Sequence, residues 1–182
     1  MYKPPISRTK MTLAAVSLAL VLACIWVLSV GDGKPPKRLW LPELLVGSDK
    51  LTRVVIDDPA GLRLVDAVRK EGGWRDPASG QLVQVEPLAA LVIAMARSEV
   101  VAAETSLREN YGRYHQFEPG KGEATAWRIE LGSDGGYQKV LWIGDDGGPQ
   151  LFVRANEDPT IYRLNGRLPL PERRPGIWLQ QP

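Results

Sequence analysis

The chain is poor in the residues that build most metal and redox sites: among 182 residues there is one cysteine, Cys24, and one histidine, His115. A Cys/His zinc site, an iron–sulfur cluster and an intrachain disulfide are therefore excluded within this chain. No Cys–His nucleophile pair can form outside the far N-terminus. Only two phenylalanines are present against six tryptophans, so aromatic bulk must come from indole rings. A surplus of one charge is also missing. The net charge is +2, yet Lys3, Arg8 and Lys10 are unopposed in residues 1–30, which leaves 20 basic and 21 acidic groups over residues 31–182. A body of net −1 with interspersed signs argues against nucleic acid as a partner, because neutralising several phosphates needs a concentrated surplus of Lys and Arg.

One feature is present in excess. Met11 to Val30 is a run of twenty residues without a charge, ten of them Leu, Val or Ile. At ~1.5 Å rise per residue such a helix matches a hydrocarbon core of ~30 Å. A single transmembrane helix over 11–30 is expected, with residues 1–10 as a cytoplasmic tail and the lipid bilayer as the first partner. A cleavable signal peptide, with Ser29-Val30-Gly31 as the cut, would carry a shorter apolar stretch of ~7 to 15 residues. Val21-Leu22-Ala23-Cys24 has the form of a lipoprotein box, but Ile25-Trp26-Val27-Leu28 stays apolar where a lipoprotein turns polar. Lys and Arg tie at three on each flank (Lys34, Lys37 and Arg38 follow the run), and the free amino group tilts the N-terminus toward the cytoplasm.

Residues 31–50 read as a stalk, opening on Gly31-Asp32-Gly33-Lys34 and stiffened by Pro35-Pro36. Leu39, Trp40, Leu41, Leu44 and Leu45 make its second half apolar, suited to packing on a domain or to the membrane interface. The domain is expected over 51–182. Val54-Val55-Ile56, a turn at Asp58-Pro59-Ala60-Gly61 and Leu62 to Lys70 predict an antiparallel hairpin, followed by a short element at Gly72-Gly73-Trp74. Pro87 as a first helical residue, with Leu88, Leu91, Val92 and Met95 at helical spacing, predicts one packing helix. Ser98 to Glu104 reads as extended and Ser106 to Gly122 as a long connection. Thr125 to Leu131, Tyr137 to Ile143, Gln150 to Arg154 and Thr160 to Leu164 predict a four-strand meander. The fold class is α+β: the membrane helix, then a mostly antiparallel β domain with one main helix.

No catalytic, cofactor or metal residues are assigned. The acid pairs Asp57/Asp58 and Asp145/Asp146 sit at strand ends, where turn chemistry accounts for them, and neighbours on a strand point to opposite faces. His115 lies in a polar, aromatic segment without a nucleophile motif. Trp127, Trp142, Phe152 and Tyr162 fall in the C-terminal strands, as core or as a sugar-stacking platform. The segment Leu168 to Trp178 is proline-rich and basic, and Arg173, Arg174 and Trp178 are its candidate partner-binding residues, unless the tail folds back across the sheet edge.

Leu41-Pro42-Glu43-Leu44, Leu51 to Ile56, Gly72-Gly73-Trp74 and the helix from Pro87 to Arg97 resemble the bacterial domain-of-unknown-function family numbered 4340. So do Tyr111-Gly112-Arg113-Tyr114, Leu141-Trp142-Ile143-Gly144, Phe152-Val153-Arg154 and Ile161-Tyr162. The resemblance implies an inner-membrane envelope protein, its domain outside the cytoplasm, found alongside ABC-type exporters of the gliding-motility kind. The expected function is a non-enzymatic accessory or scaffold in such a transport complex, with membrane-protein partners. The alternative is an envelope glycan-binding module using exposed aromatics.

Overall fold

The computed structural model describes residues 38–123, 125–144 and 150–180. The expected membrane helix over 11–30, Cys24 and the Asp145/Asp146 pair lie outside them, and among the described residues no helix is long and apolar enough to cross a membrane.

Among the described residues, eight strands form one sheet in which every ladder is antiparallel. They are β1 (Leu51–Asp57), β2 (Arg63–Lys70), β3 (Gly73–Arg75), β4 (Val100–Thr105), β5 (Trp127–Ser133), β6 (Gln138–Gly144), β7 (Gln150–Ala155) and β8 (Asp158–Asn165). Their spatial order is β3-β2-β1-β5-β6-β7-β8-β4. The N-terminal hairpin thus joins the C-terminal meander through the β1–β5 ladder, and β4 closes the far side against β8. The fold is mostly antiparallel β with few helices, as the alternation of apolar and polar residues implies.

Two helices pack on one face of the sheet: α1 (Leu44–Gly47) and α2 (Val85–Arg97). The α2 residues Leu88, Leu91, Val92, Met95 and Ala96 are buried there, against the cross-strand row Val65, Ile56, Ile129, Leu141 and the row Trp127, Ile143, Val153. Fully burying a Leu, Ile or Val stabilises by roughly 1.5–3 kcal/mol, so each aliphatic residue of these two rows contributes on that order. α2 begins two residues before Pro87, which is tolerated because the first four N–H groups of a helix have no intrahelical acceptor. Its last turn is closed by the Ser98 hydroxyl, which donates to Ala94 O at 2.7 Å.

The compact unit starts at Arg38, not at Leu51. Leu41 is 2% exposed and joins Leu44 in the core, while Leu39 bridges Glu99 at the start of β4. The apolar half of the stalk segment is therefore part of the domain. The C-terminal segment also belongs to it. Trp178 accepts a backbone hydrogen bond from Gln84 N (2.7 Å), Leu82 accepts one from Gln180 N (2.8 Å), and Gly176 N donates to Leu64 O (3.3 Å). The tail folds back over β2 and the segment that leads into α2.

Candidate charged face and arginine cavity

Among the described residues no α-helix covers the second face of the sheet. Its central row crosses five strands: Arg63, Asp57, Arg128, Trp142 and Arg154 are successive cross-strand partners from β2 through β1, β5 and β6 to β7. The register shift at Ile56/Asp57 makes this possible, because the extra residue lets Leu64 and Val65 both enter the core while Arg63 turns to Asp57.

Asp57, 8% exposed, is the hub. Its Oδ1 accepts from Arg63 Nε at 2.9 Å and its Oδ2 from Arg128 Nη1 at 3.1 Å. The hydrogen bond with Asp57 raises the Arg63 pKa above its ordinary value, outweighing the opposing effect of burial. Arg128 also reaches Glu130 at 2.7 Å. Burial pushes the Glu130 carboxyl up, but the hydrogen bond and charge of Arg128, helped by Gln138, bring it below the usual glutamate value. Asp58 takes no part: its carboxylate accepts from Leu62 N at 2.8 Å and closes the β1–β2 turn. The adjacent acids are thus divided between an ion-pair hub and a turn.

Arg154 differs from its neighbours. The arginines that β1, β2, β5 and β8 place on this face each lie within 4 Å of a carboxylate: Arg53 with Asp66, Arg63 and Arg128 with Asp57, Arg163 with Glu104. Arg154 has no such partner among the described residues. Its guanidinium stands 4.0 Å from the Trp142 ring centroid and 4.6 Å from that of Tyr111. Among the described residues its Nη2 reaches the Gln116 carbonyl alone, at 3.4 Å, and its Nε has no hydrogen-bond partner. Desolvation lowers the Arg154 pKa, the charge of Arg108 acts in the same direction, and Tyr111 and Glu118 oppose them.

The second ring comes from the Ser106 to Gly122 connection, where a 3-10 helix (Arg108–Tyr114) lies over the β6–β8 end of the face. Three features seat it. The Tyr111 hydroxyl donates to Pro159 O at 2.9 Å, and Gln116, fully buried, donates from Nε2 to Phe152 O at 2.6 Å. His115 ends the helix in the left-handed region at φ 52°, ψ 48°, which places this histidine in a structural turn. Gly144, at the end of β6, lies directly beneath, and a Cβ there would come within 2.0 Å of Tyr114 O and 2.9 Å of His115 O.

Between this loop and the strands is a cavity of about 200 Å³ lined by Arg108, Tyr111, Gln116, Phe117, Glu118, Trp142 and Arg154. Three of its lining residues carry buried polar atoms without hydrogen-bond partners: Gln116 Oε1, Trp142 Nε1 and Arg154 Nε. Glu118 pairs with Lys121, whose hydrogen bond lowers the glutamate pKa. No family model, no curated protein and no solved structure matches this chain. The cavity is thus read from its own chemistry: two guanidinium groups, an indole donor and one amide acceptor, with no group of three or more His, Cys, Asp or Glu able to hold a metal ion among the described residues.

Of the expected partner-binding residues, Arg173 and Arg174 are exposed, and Trp178, 7% exposed, is packed into the core. Arg173 lies over the Trp127 ring at 5.8 Å and Arg174 faces Glu172 at 3.8 Å. The clefts beside this tail, about 270 and 490 Å³, are larger than the arginine cavity. The only buried unpartnered side-chain atom on a residue lining either is Asp66 Oδ1. Trp127, 6% exposed, faces the core, while Trp142 lies on the opposite face under Arg154. Neither Arg154 nor Gln116 stands in a sequence motif that marks a binding site. Leu141 and Ile143 point inward, so alternation alone puts Trp142 on the other face, whereas the Arg154 position follows only from the β6–β7 register.

Proposed function

We propose that this protein is a single-pass, membrane-anchored accessory or scaffold subunit of a bacterial envelope transport assembly, with a non-enzymatic binding domain outside the cytoplasm. The uncharged run Met11 to Val30, the near-neutral body and the resemblance described above support the anchor and the setting. The observation that carries the binding role is the second sheet face. Among the described residues it has no α-helical layer, most of its arginines are already fixed by cross-strand ion pairs, and ordering them costs little when a partner arrives.

A glycan platform needs aromatic faces turned to solvent, and the positions of Trp127 and Trp142 do not favour it. Two experiments test the proposal. A C-terminal alkaline phosphatase fusion is expected to be active, and inactivity would reverse the orientation. Isolation of the full chain in mild detergent is expected to recover integral membrane subunits of a transporter in fixed proportion. A clean monomer across several mild detergents would overturn the scaffold role.

A further inference from the structure

We infer that the cavity between the Arg108–Tyr114 helix and strands β6 and β7 binds a carboxylate that carries a hydrogen-bond donor beside it, the chemistry of a peptide chain end or of an acidic residue within a peptide. This deepens the binding role proposed for the same face.

The first observation is the isolation of Arg154. A half-buried cation still costs free energy unless it is paired, and along β1, β2, β5 and β8 this face supplies the pairing carboxylate. At Arg154 it supplies two aromatic rings instead, which hold the guanidinium in place without satisfying its N–H groups. Trp142 and Tyr111 therefore fix a planar donor fork, the geometry that receives a carboxylate through two parallel hydrogen bonds.

The second observation is the set of unmatched polar atoms. Arg154 Nε–H and Trp142 Nε1–H are donors, and Arg108 adds a second cation on the cavity wall. Gln116 Oε1 is an acceptor, because the Nε2 group of the same amide is committed to Phe152 O at 2.6 Å. Buried polar groups are paired in nearly all cases, so three polar atoms without a protein partner around one cavity, one of them on the fully buried Gln116, define the polarity of the group that fits there. That group must accept from the arginine and the indole and donate to the glutamine. A bare anion fails the last requirement, and a neutral polyol leaves the charge of Arg154 uncompensated. A carboxylate with an adjacent amide N–H meets all of them. The one acid on the wall, Glu118, is held by Lys121.

The test uses the full chain in mild detergent with 15N-labelled indole groups, the Trp142 resonance being assigned by its loss in Trp142→Phe. The probes are N-acetylglycine, N-acetylglycinamide, sodium acetate and an end-blocked peptide with one internal glutamate. N-acetylglycine is expected to move the Trp142 resonance saturably at millimolar concentration, more tightly than acetate, while the amide leaves it unmoved. Arg108→Gln, at an exposed position, is expected to weaken binding about tenfold, one charge-assisted contact. Arg154→Lys keeps the charge without the fork and is expected to abolish saturation. Comparable binding of the internal-glutamate peptide identifies a side chain as the source, and binding of N-acetylglycine alone identifies a chain end. A resonance that no carboxylate moves, as for a cavity that holds only water, overturns the inference. Equal binding of the amide or of acetate overturns it as well. Loss of the transporter partners with N-acetylglycine binding intact would remove the scaffold role and leave this site standing.

Discussion

The guanidinium of Arg154 lies 4.0 Å from the ring centroid of Trp142, its direct cross-strand partner on β6. A desolvated cation–π pair of this kind is worth up to ~2 kcal/mol. A double-mutant cycle with Arg154→Met and Trp142→Leu should give a coupling energy of about 1–2 kcal/mol by urea denaturation. Additive single effects would show that the stacking is incidental.

Gly144→Ala places a methyl group inside contact distance of the Tyr114 and His115 carbonyls, both backbone atoms. A loss of at least about 1–3 kcal/mol is expected, with a shifted Trp142 environment. Gly47→Ala is the control. It has open space around it and an ordinary negative φ at the end of α1, so a gain of about 0.4–1 kcal/mol is expected.

Asp57 neutralises two arginines, and its removal leaves both without their shared carboxylate. Breaking a buried pair costs about 3–5 kcal/mol, and the partial exposure of both arginines puts Asp57→Ala at or below the low end of that range. Asp58→Ala should act differently. It releases one turn hydrogen bond, worth about 1 kcal/mol, and leaves the charged face intact.

Tyr137 has a hydroxyl without a hydrogen-bond partner, and burial, reinforced by the charges of Glu43 and Glu157, raises its pKa from 10.0 to about 12. Lys139, paired with both acids, lies 5.8 Å from the ring. The folded state therefore holds this proton where the unfolded chain gives it up. The contribution is intact below about pH 10 and is lost as the pH rises toward about 12. Tyr137→Phe should flatten this alkaline decline in thermal stability, and an unchanged profile would contradict the assignment.

Trp178→Ala is expected to cost about 3–5 kcal/mol, as for other buried tryptophans, and to loosen the tail that Leu82 and Gln84 hold. Arg173→Ala and Arg174→Ala, on exposed side chains, should stay within about 0.5 kcal/mol.

Local pattern carried most of the elements. Alternation placed the meander to within two residues at each strand end, and the apolar spacing around Leu88 to Met95 placed α2. What local pattern could not carry was adjacency. Nothing in Val100 to Thr105 says that this strand pairs with β8, and nothing in Leu51 to Asp57 says that it pairs with β5. The early start of the domain was hidden for a related reason, since Leu41 and Leu44 look the same whether they meet a core or a lipid headgroup. The arginine cavity was the least legible, because its residues come from 108 to 154 and converge only through the β6–β7 register and the left-handed turn at His115.

Among the described residues, the first segment joins β4 through a short antiparallel bridge. Val100 N donates to Arg38 O at 2.8 Å, Trp40 N donates to Ser98 O at 2.9 Å, and Arg38 rests 5.1 Å from the Tyr162 ring. A pull on Arg38 would load these two backbone bonds first, with the buried Leu41 next behind them. Yielding there would free β4 from β8, and with it Glu104 from Arg163, while the Asp57 hub between β1, β2 and β5 stays in register.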